Sequence, residues 1–73
     1  MYHYEIELVT MNDILNFVND VSKITGEVKL SDGKSFCING KSLLGAIATV
    51  EWDSLYCVSE HEIYAVISKY CKD

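Results

Sequence analysis

Hydrophobic and polar residues alternate over residues 2–9, and the apolar side of this run holds Tyr2, Tyr4, Ile6 and Leu8. A period of two predicts a half-buried antiparallel strand. From residue 11 the period changes, and a helix over 11–24 is predicted by apolar residues at helical spacing: Met11, Ile14, Leu15, Val18 and Val21. Thr10 and Asp13 have the spacing of a capping box at the start of this helix.

The middle of the chain carries the pattern of a β-hairpin. Two short alternating runs, 27–30 and 35–38, flank the turn Ser31-Asp32-Gly33-Lys34, and Asp-Gly between such runs is a strong hairpin signal. Residues 42–48 then predict a short helix with Ser42 as its N-cap, and 55–58 predict a fourth strand. Ser59 and Glu62 have the spacing of a second capping box, which would open a final helix with the inner face Ile63, Val66, Ile67, Tyr70 and Cys71.

The predicted order of elements is βαββαβα. The fold class is therefore α+β, an open-faced sandwich in which a four-stranded antiparallel sheet is covered on one face by three helices. The chain has 73 residues, of which 49% are hydrophobic. This is enough for one core, and we expect a single domain over residues 1–73. The two outer helices are expected to bury Ile14, Val18, Val21, Ile63, Val66 and Ile67.

The charge balance narrows the range of functions. The chain has eleven acidic residues and six basic residues, all of them lysines, so its net charge is -5. Without arginine the chain lacks the planar group that recognises phosphate or guanine through two hydrogen bonds, and its scattered lysines form no basic stripe, so we expect no nucleic-acid binding. The longest uncharged stretch, 42–50, is shorter than the ~20 residues of a membrane span. The N-terminus has no signal-peptide pattern, and we expect a cytoplasmic protein without a membrane span.

The cysteines and histidines show no spacing typical of a reactive or metal-binding site. Cys37, Cys57 and Cys71 lack a C-x-x-C pair, so we expect small buried hydrophobes in a reducing compartment. His3 on the first strand and His61 at the start of the last helix are expected to be surface residues, since no spacing suggests metal ligation. The sequence therefore predicts no catalytic residue, no metal site and no cofactor.

The predicted short helix belongs to the segment Lys41-Ser42-Leu43-Leu44-Gly45-Ala46-Ile47. With the element order, the S-D-G-K turn and the closing amphipathic helix, this segment resembles HPr, the histidine-containing phosphocarrier family of the bacterial sugar phosphotransferase system. In that family the segment reads K-S-I-M-G-V-M and carries a regulatory serine. The resemblance covers nearly the whole chain. It implies that Ser42 is a candidate for regulatory phosphorylation, and that a partner-binding surface is formed by Lys41, Leu43, Leu44 and Ile47.

The sequence departs from that family at the phosphate acceptor. HPr relays phosphate through a histidine in a G-x-H-x-R-P segment before the first helix, whereas this chain has the shorter stretch Leu8-Val9-Thr10-Met11-Asn12-Asp13. Phosphate relay needs an imidazole, hydrogen-bond donors for the anion and a nearby cation. Asp13 instead places a negative charge at the helix N-terminus.

Three functions follow as hypotheses. The first is a non-catalytic HPr-like regulatory domain that binds proteins, such as phosphotransferase-system or transcriptional regulators, under the control of phosphorylation at Ser42. A phosphate is tolerated at a helix N-terminus, so this role is compatible with that of an N-cap. The second is a phosphocarrier in phosphoenolpyruvate-dependent sugar transport that uses a displaced histidine, His3 or His61. The third is an orphan structural domain that has lost its partners.

Overall fold

The first strand lies beside the fourth in the sheet. The structure, a computed structural model, describes residues 1–72. Over this range four strands, β1 (Tyr2–Glu5), β2 (Val28–Ser31), β3 (Cys37–Asn39) and β4 (Tyr56–Ser59), form one antiparallel sheet in the order β1-β4-β2-β3. The same range contains three α-helices, α1 (Met11–Ser22), α2 (Leu43–Ala48) and α3 (Tyr64–Ile67), and 3-10 helices at Thr49–Glu51 and Ser68–Tyr70. The predicted α+β class, with an open four-stranded sheet and three helices, is confirmed.

The strand register gives the sheet one buried face and one open face. Tyr4, Cys57 and Leu30 lie opposite one another in a row across β1, β4 and β2, and Leu30 and Cys57 are fully buried. The next row, which contains His3, Val58 and Lys29, points the opposite way because side chains alternate along a strand. The helices pack on the first of these faces and complete one core with Ile14, Phe17, Val21, Ala46 and Ile67.

Helix α1 begins at the predicted capping box. The Thr10 hydroxyl accepts from the backbone N–H of Asp13 at 3.1 Å, and the Asp13 carboxylate accepts from the backbone N–H of Thr10 at 3.2 Å. Ile14 and Val21 are buried as predicted, and Val18 is partly buried. Phe17, three residues after Ile14 and absent from the predicted set, is also fully buried. Met11 and Leu15 are exposed.

The predicted hairpin forms one residue later along β2. Its loop is organised by Asp32, whose Oδ1 accepts from the backbone N–H groups of Lys34, Ser35 and Phe36 at 2.8, 3.1 and 3.1 Å. These hydrogen bonds, that from Lys34 first among them, lower the pKa of Asp32. Gly33 has a φ of +80°, and a Cβ there would lie 2.7 Å from the Tyr56 ring. A glycine is thus required by both backbone and packing.

The last helix differs most from its prediction. Ser59 is buried in β4, and its hydroxyl donates to the carbonyl of His61, so it forms no capping box with Glu62. Helix α3 is only one turn long and continues as the 3-10 helix. Ile63 and Ile67 are buried as predicted, but the Val66 side chain is 40% exposed.

After the last 3-10 helix the chain returns to β1. The backbone N–H of Glu7 donates to the carbonyl of Tyr70 at 2.8 Å, and the N–H of Lys72 donates to the carbonyl of Glu5 at 2.9 Å. Ile6 and Cys71 form an antiparallel bridge between these two contacts. The C-terminal segment therefore pairs with the end of β1 and with the two residues that follow it.

Candidate functional site

The start of α2 has the local structure that the sequence predicts. Ser42 precedes the helix in an extended conformation, and its hydroxyl accepts from the backbone N–H of Gly45 at 3.3 Å. Ser42 is half-buried and is the N-cap of a helix of six residues. Ala46, on the inner side of this helix, is fully buried.

The partly buried Lys41 side chain is held by hydrogen bonds within the fold. Its ammonium donates to the carbonyls of Ile24 at 2.5 Å and Gly26 at 2.8 Å, in the loop that follows α1. The side chain therefore ties the beginning of α2 to the end of α1. We had predicted Lys41 on the partner-binding surface. Because its ammonium is held by two carbonyls, we assign it a structural role and leave it out of that surface.

The two helices run antiparallel. Lys41 places the start of α2 beside the end of α1. At the other end, Val50 lines the same cavity as Leu8, which lies just before α1. Since α1 has twelve residues and α2 six, the shorter helix lies along only part of the longer one.

One flank of α1 is turned toward α2. The opposite flank is marked by Asp20, which accepts a hydrogen bond from the hydroxyl of Tyr70 at 2.9 Å and so faces the C-terminal segment. At 3.6 residues per turn, Met11 and Leu15 lie on the far side of the helix from Asp20. They therefore border α2, and both are exposed, Met11 at 53% and Leu15 at 44%.

Helix α2 presents apolar residues on the side next to Met11 and Leu15. Gly45 packs on β3, since a Cβ there would lie 3.1 Å from Cδ1 of Ile38. Leu43 and Ile47 lie on the other flank, toward α1. Leu44 points outward and is 82% exposed. We call the combined surface the α1–α2 face, and its members are Met11, Leu15, Leu43, Leu44, Ile47 and Val50.

The predicted partner-binding residues on α2 differ in their exposure to solvent. Leu43 and Leu44 are exposed, whereas Ile47 is partly buried and packs against the core. Two members of the α1–α2 face, Met11 and Leu15, belong to the apolar periodicity that predicts α1, and the sequence does not assign them to the partner-binding surface. Val50 had not been singled out, and only its position one turn after Ile47 could have indicated it.

The other candidate groups are spread over the molecule. His3 lies on the open face of the sheet, and the His61 ring lies beside Gly26, where a Cβ would be 3.2 Å from it. Burial raises the pKa of the Cys57 thiol to about 12, which keeps it protonated. The prediction of a buried cysteine is wrong for Cys37, which is exposed. Residues 1–72 contain no group of three or more His, Cys, Asp or Glu side chains arranged to hold a metal ion.

Comparison with known proteins adds no relative. Searches against protein-family models, curated proteins and solved structures found no match. Within the described range, no helix combines the length and the apolar character needed to cross a membrane.

Proposed function

We propose that this chain is a non-catalytic protein-binding domain, and that a partner protein docks on the α1–α2 face. The observation that carries the proposal is the exposure of large apolar side chains on adjacent flanks of two antiparallel helices, led by Leu44 at 82%. Single exposed apolar residues are common on proteins, but a group of them on neighbouring elements is typical of an interaction surface.

The resemblance to HPr supplies the class of partner in this proposal. The segment that carries the resemblance forms a capped helix, and its Leu43 and Leu44 are exposed. We therefore propose partners among the regulators of the phosphotransferase system or of transcription. In the loop before α1, Thr10 and Asp13 are engaged with each other in the capping box. Phosphate relay is not part of the proposal.

Ser42 is the proposed point of control. It immediately precedes Leu43, so a phosphate on its hydroxyl would add about two negative charges at the border of the α1–α2 face. Partner choice would change while the fold persists. The variant Ser42→Ala removes the cap and should lower the free energy of unfolding by about 1 kcal/mol, whether or not a kinase acts there.

The test measures binding of two purified probes, the phosphoenolpyruvate-dependent phosphotransferase enzyme and the kinase that phosphorylates the serine of HPr. We expect at least one probe to bind and to shift the NMR signals of the α1–α2 face. Leu44→Asp should weaken that binding at least about tenfold, because it places a charge in an apolar contact. Its melting temperature should change little, because Leu44 is already in solvent.

Val66→Asp is the matched control, since it introduces the same charge at an exposed apolar residue of α3. It should bind like the parent protein. Equal binding by the Leu44→Asp and Val66→Asp variants, or no binding by either probe, would refute the proposal. Transfer of acid-labile phosphate from phosphoenolpyruvate to His3 or His61 would favour the displaced-histidine phosphocarrier instead.

A further inference from the structure

Two aromatic rings from different loops meet at the surface. Phe36, in the loop between β2 and β3, stacks on Trp52, which follows the first 3-10 helix. The ring centroids are 6.1 Å apart and the planes differ by 17°. Phe36 remains 60% exposed, so the stack offers aromatic surface to solvent.

Carboxylates surround this stack. The two rings line a cavity of about 190 Å³ together with Asp32, Glu51 and Asp53. Glu51 and Asp53 are exposed, and neither takes part in the ion pairs found within residues 1–72. Asp32 is anchored through Oδ1 by three backbone N–H groups of its loop, and its Oδ2 accepts none of these.

The chemistry of the cavity favours one kind of ligand. A guanidinium group is planar, stacks on aromatic faces and donates to carboxylates in a fixed geometry. Lys34 is the one basic residue among those that line the cavity, and it is outnumbered by three acidic residues. The net charge of -5 also favours the approach of a basic partner.

We infer that this cavity, the Phe36–Trp52 cleft, binds an arginine side chain of a basic peptide segment. The guanidinium lies on the exposed aromatic surface and donates hydrogen bonds to Glu51 and Asp53. The inference is independent of the proposed function, because it uses no residue of the α1–α2 face. A purely structural stack that only fixes the hairpin loop would give the cleft no preference for cations.

Trp52 is the only tryptophan of the chain, so its fluorescence reports directly on the cleft. The probe is a hexapeptide of alternating glycine and arginine with an acetylated N-terminus and an amidated C-terminus. It is compared with the same peptide carrying lysine or glutamate in place of arginine. We expect a saturable fluorescence change with the arginine peptide, a weaker one with the lysine peptide and none with the glutamate peptide. Added salt should weaken binding, because the charges are exposed.

Two double variants separate the cleft from overall charge. Glu51→Gln with Asp53→Asn should weaken binding of the arginine peptide about fivefold. Glu27→Gln with Glu62→Gln removes the same charge near the opposite end of the sheet and should leave the affinity unchanged. Lys34→Gln should tighten binding about twofold, since it removes a like charge.

The aromatic contribution is tested by Phe36→Leu, for which we expect binding about 2- to 5-fold weaker. If that variant does not fold, the charge variants still decide, because they leave both rings in place. Equal losses in the cleft and control double variants would show non-specific attraction and overturn the inference. An equal response to the arginine and glutamate peptides, or no response to any peptide, would overturn it too.

Discussion

The two flanks of α1 differ in how well neighbouring residues cover them. On the flank toward the C-terminal segment, Phe17 meets the ring of Tyr70 edge-on, with centroids 5.4 Å apart, and the Tyr70 hydroxyl donates to Asp20 at 2.9 Å. Lys69 adds an ion pair to Asp20 at 3.4 Å. On the flank toward α2, Met11 and Leu15 face solvent. Both flanks belong to one helix, so helix propensity cannot account for the difference.

The difference comes from the size of the neighbouring elements. The C-terminal segment brings an aromatic ring and hydrogen-bonding groups against its flank. Helix α2 has six residues beside the twelve of α1, and its own buried residue is the small Ala46. A short helix with a small contact residue leaves part of a longer neighbour uncovered. The open flank is the one on which the proposed partner would dock.

The largest effect is expected from Phe17→Ala on the closed flank. Truncating a buried phenylalanine costs about 3–5 kcal/mol, a large share of the stability of so small a domain. Leu15→Ala, on the open flank of the same helix, should cost less than about 1 kcal/mol. Urea denaturation of both variants measures the contrast. Similar losses for the two would mean that the open flank is also part of the core.

Lys41→Met tests how α2 is held against α1. The variant keeps the aliphatic stem and removes the ammonium that bonds to Ile24 and Gly26. We expect a loss of about 1.5–3 kcal/mol, the range for hydrogen bonds to a charged group, and faster amide exchange in the 23–27 loop. Lys23→Met, an exposed lysine at the end of α1, serves as control. Equal free energies of unfolding for the two variants would mean that the Lys41 hydrogen bonds do not stabilise the fold.

Tyr70→Phe tests the polar contact on the closed flank. At neutral pH the lost hydrogen bond should cost about 1 kcal/mol. Burial in the first place, and then the hydrogen bond to the Asp20 carboxylate, raise the pKa of Tyr70 in the folded protein. The unfolded chain binds fewer protons once the pH passes the ordinary tyrosine pKa of about 10, so stability should fall as the pH rises above that value.

The phenylalanine variant lacks this group and should lose less stability over the same interval. Urea titrations between about pH 9 and pH 11 would show the two stability curves converging. Parallel curves would contradict the assigned contact.

The smallest effect is expected from Val66→Ala on α3. Because Val66 is exposed, its truncation should cost less than about 0.5 kcal/mol. Its neighbour Ile67 is fully buried, and Ile67→Ala should cost about 2–5 kcal/mol. Chemical denaturation of both variants tests whether Ile67 is the residue through which α3 packs on the core. A larger loss of stability for Val66→Ala than for Ile67→Ala would mean that Val66 is the residue that packs on the core.

The local signals in the sequence predict local structure well. The Thr10 capping box and the Ser42 N-cap form where the sequence places them, and the Asp-Gly hairpin forms within one or two residues of its predicted position, because each depends on residues within a few positions of one another. Ser59 and Glu62 have the same local pattern, but they form no capping box. Ser59 also continues the alternation of β4, and burial against the core decided in favour of the strand.

The choice between alternative helix faces could not be made from the sequence. Phe17 and Val18 both continue a stripe from Ile14, at i+3 and i+4, and only the position of the sheet and of Tyr70 selects Phe17 as the fully buried one. Met11 and Leu15 also have helical spacing, and the sequence does not show that they stay exposed. The Phe36–Trp52 stack joins residues from two separate loops, and no periodic pattern connects them.

The return of the chain to β1 sets an order of events during folding. The β2–β3 hairpin joins neighbouring segments and can form early, as local contacts do. Strand β1 has β4 on one side and the stretch around Cys71 on the other, both from the far part of the chain. It therefore waits, unpaired, until those segments arrive, and its docking closes the sheet. We expect β1 to dock after the rate-limiting step of folding, so mutations in β1 should alter the rate of unfolding more than the rate of folding.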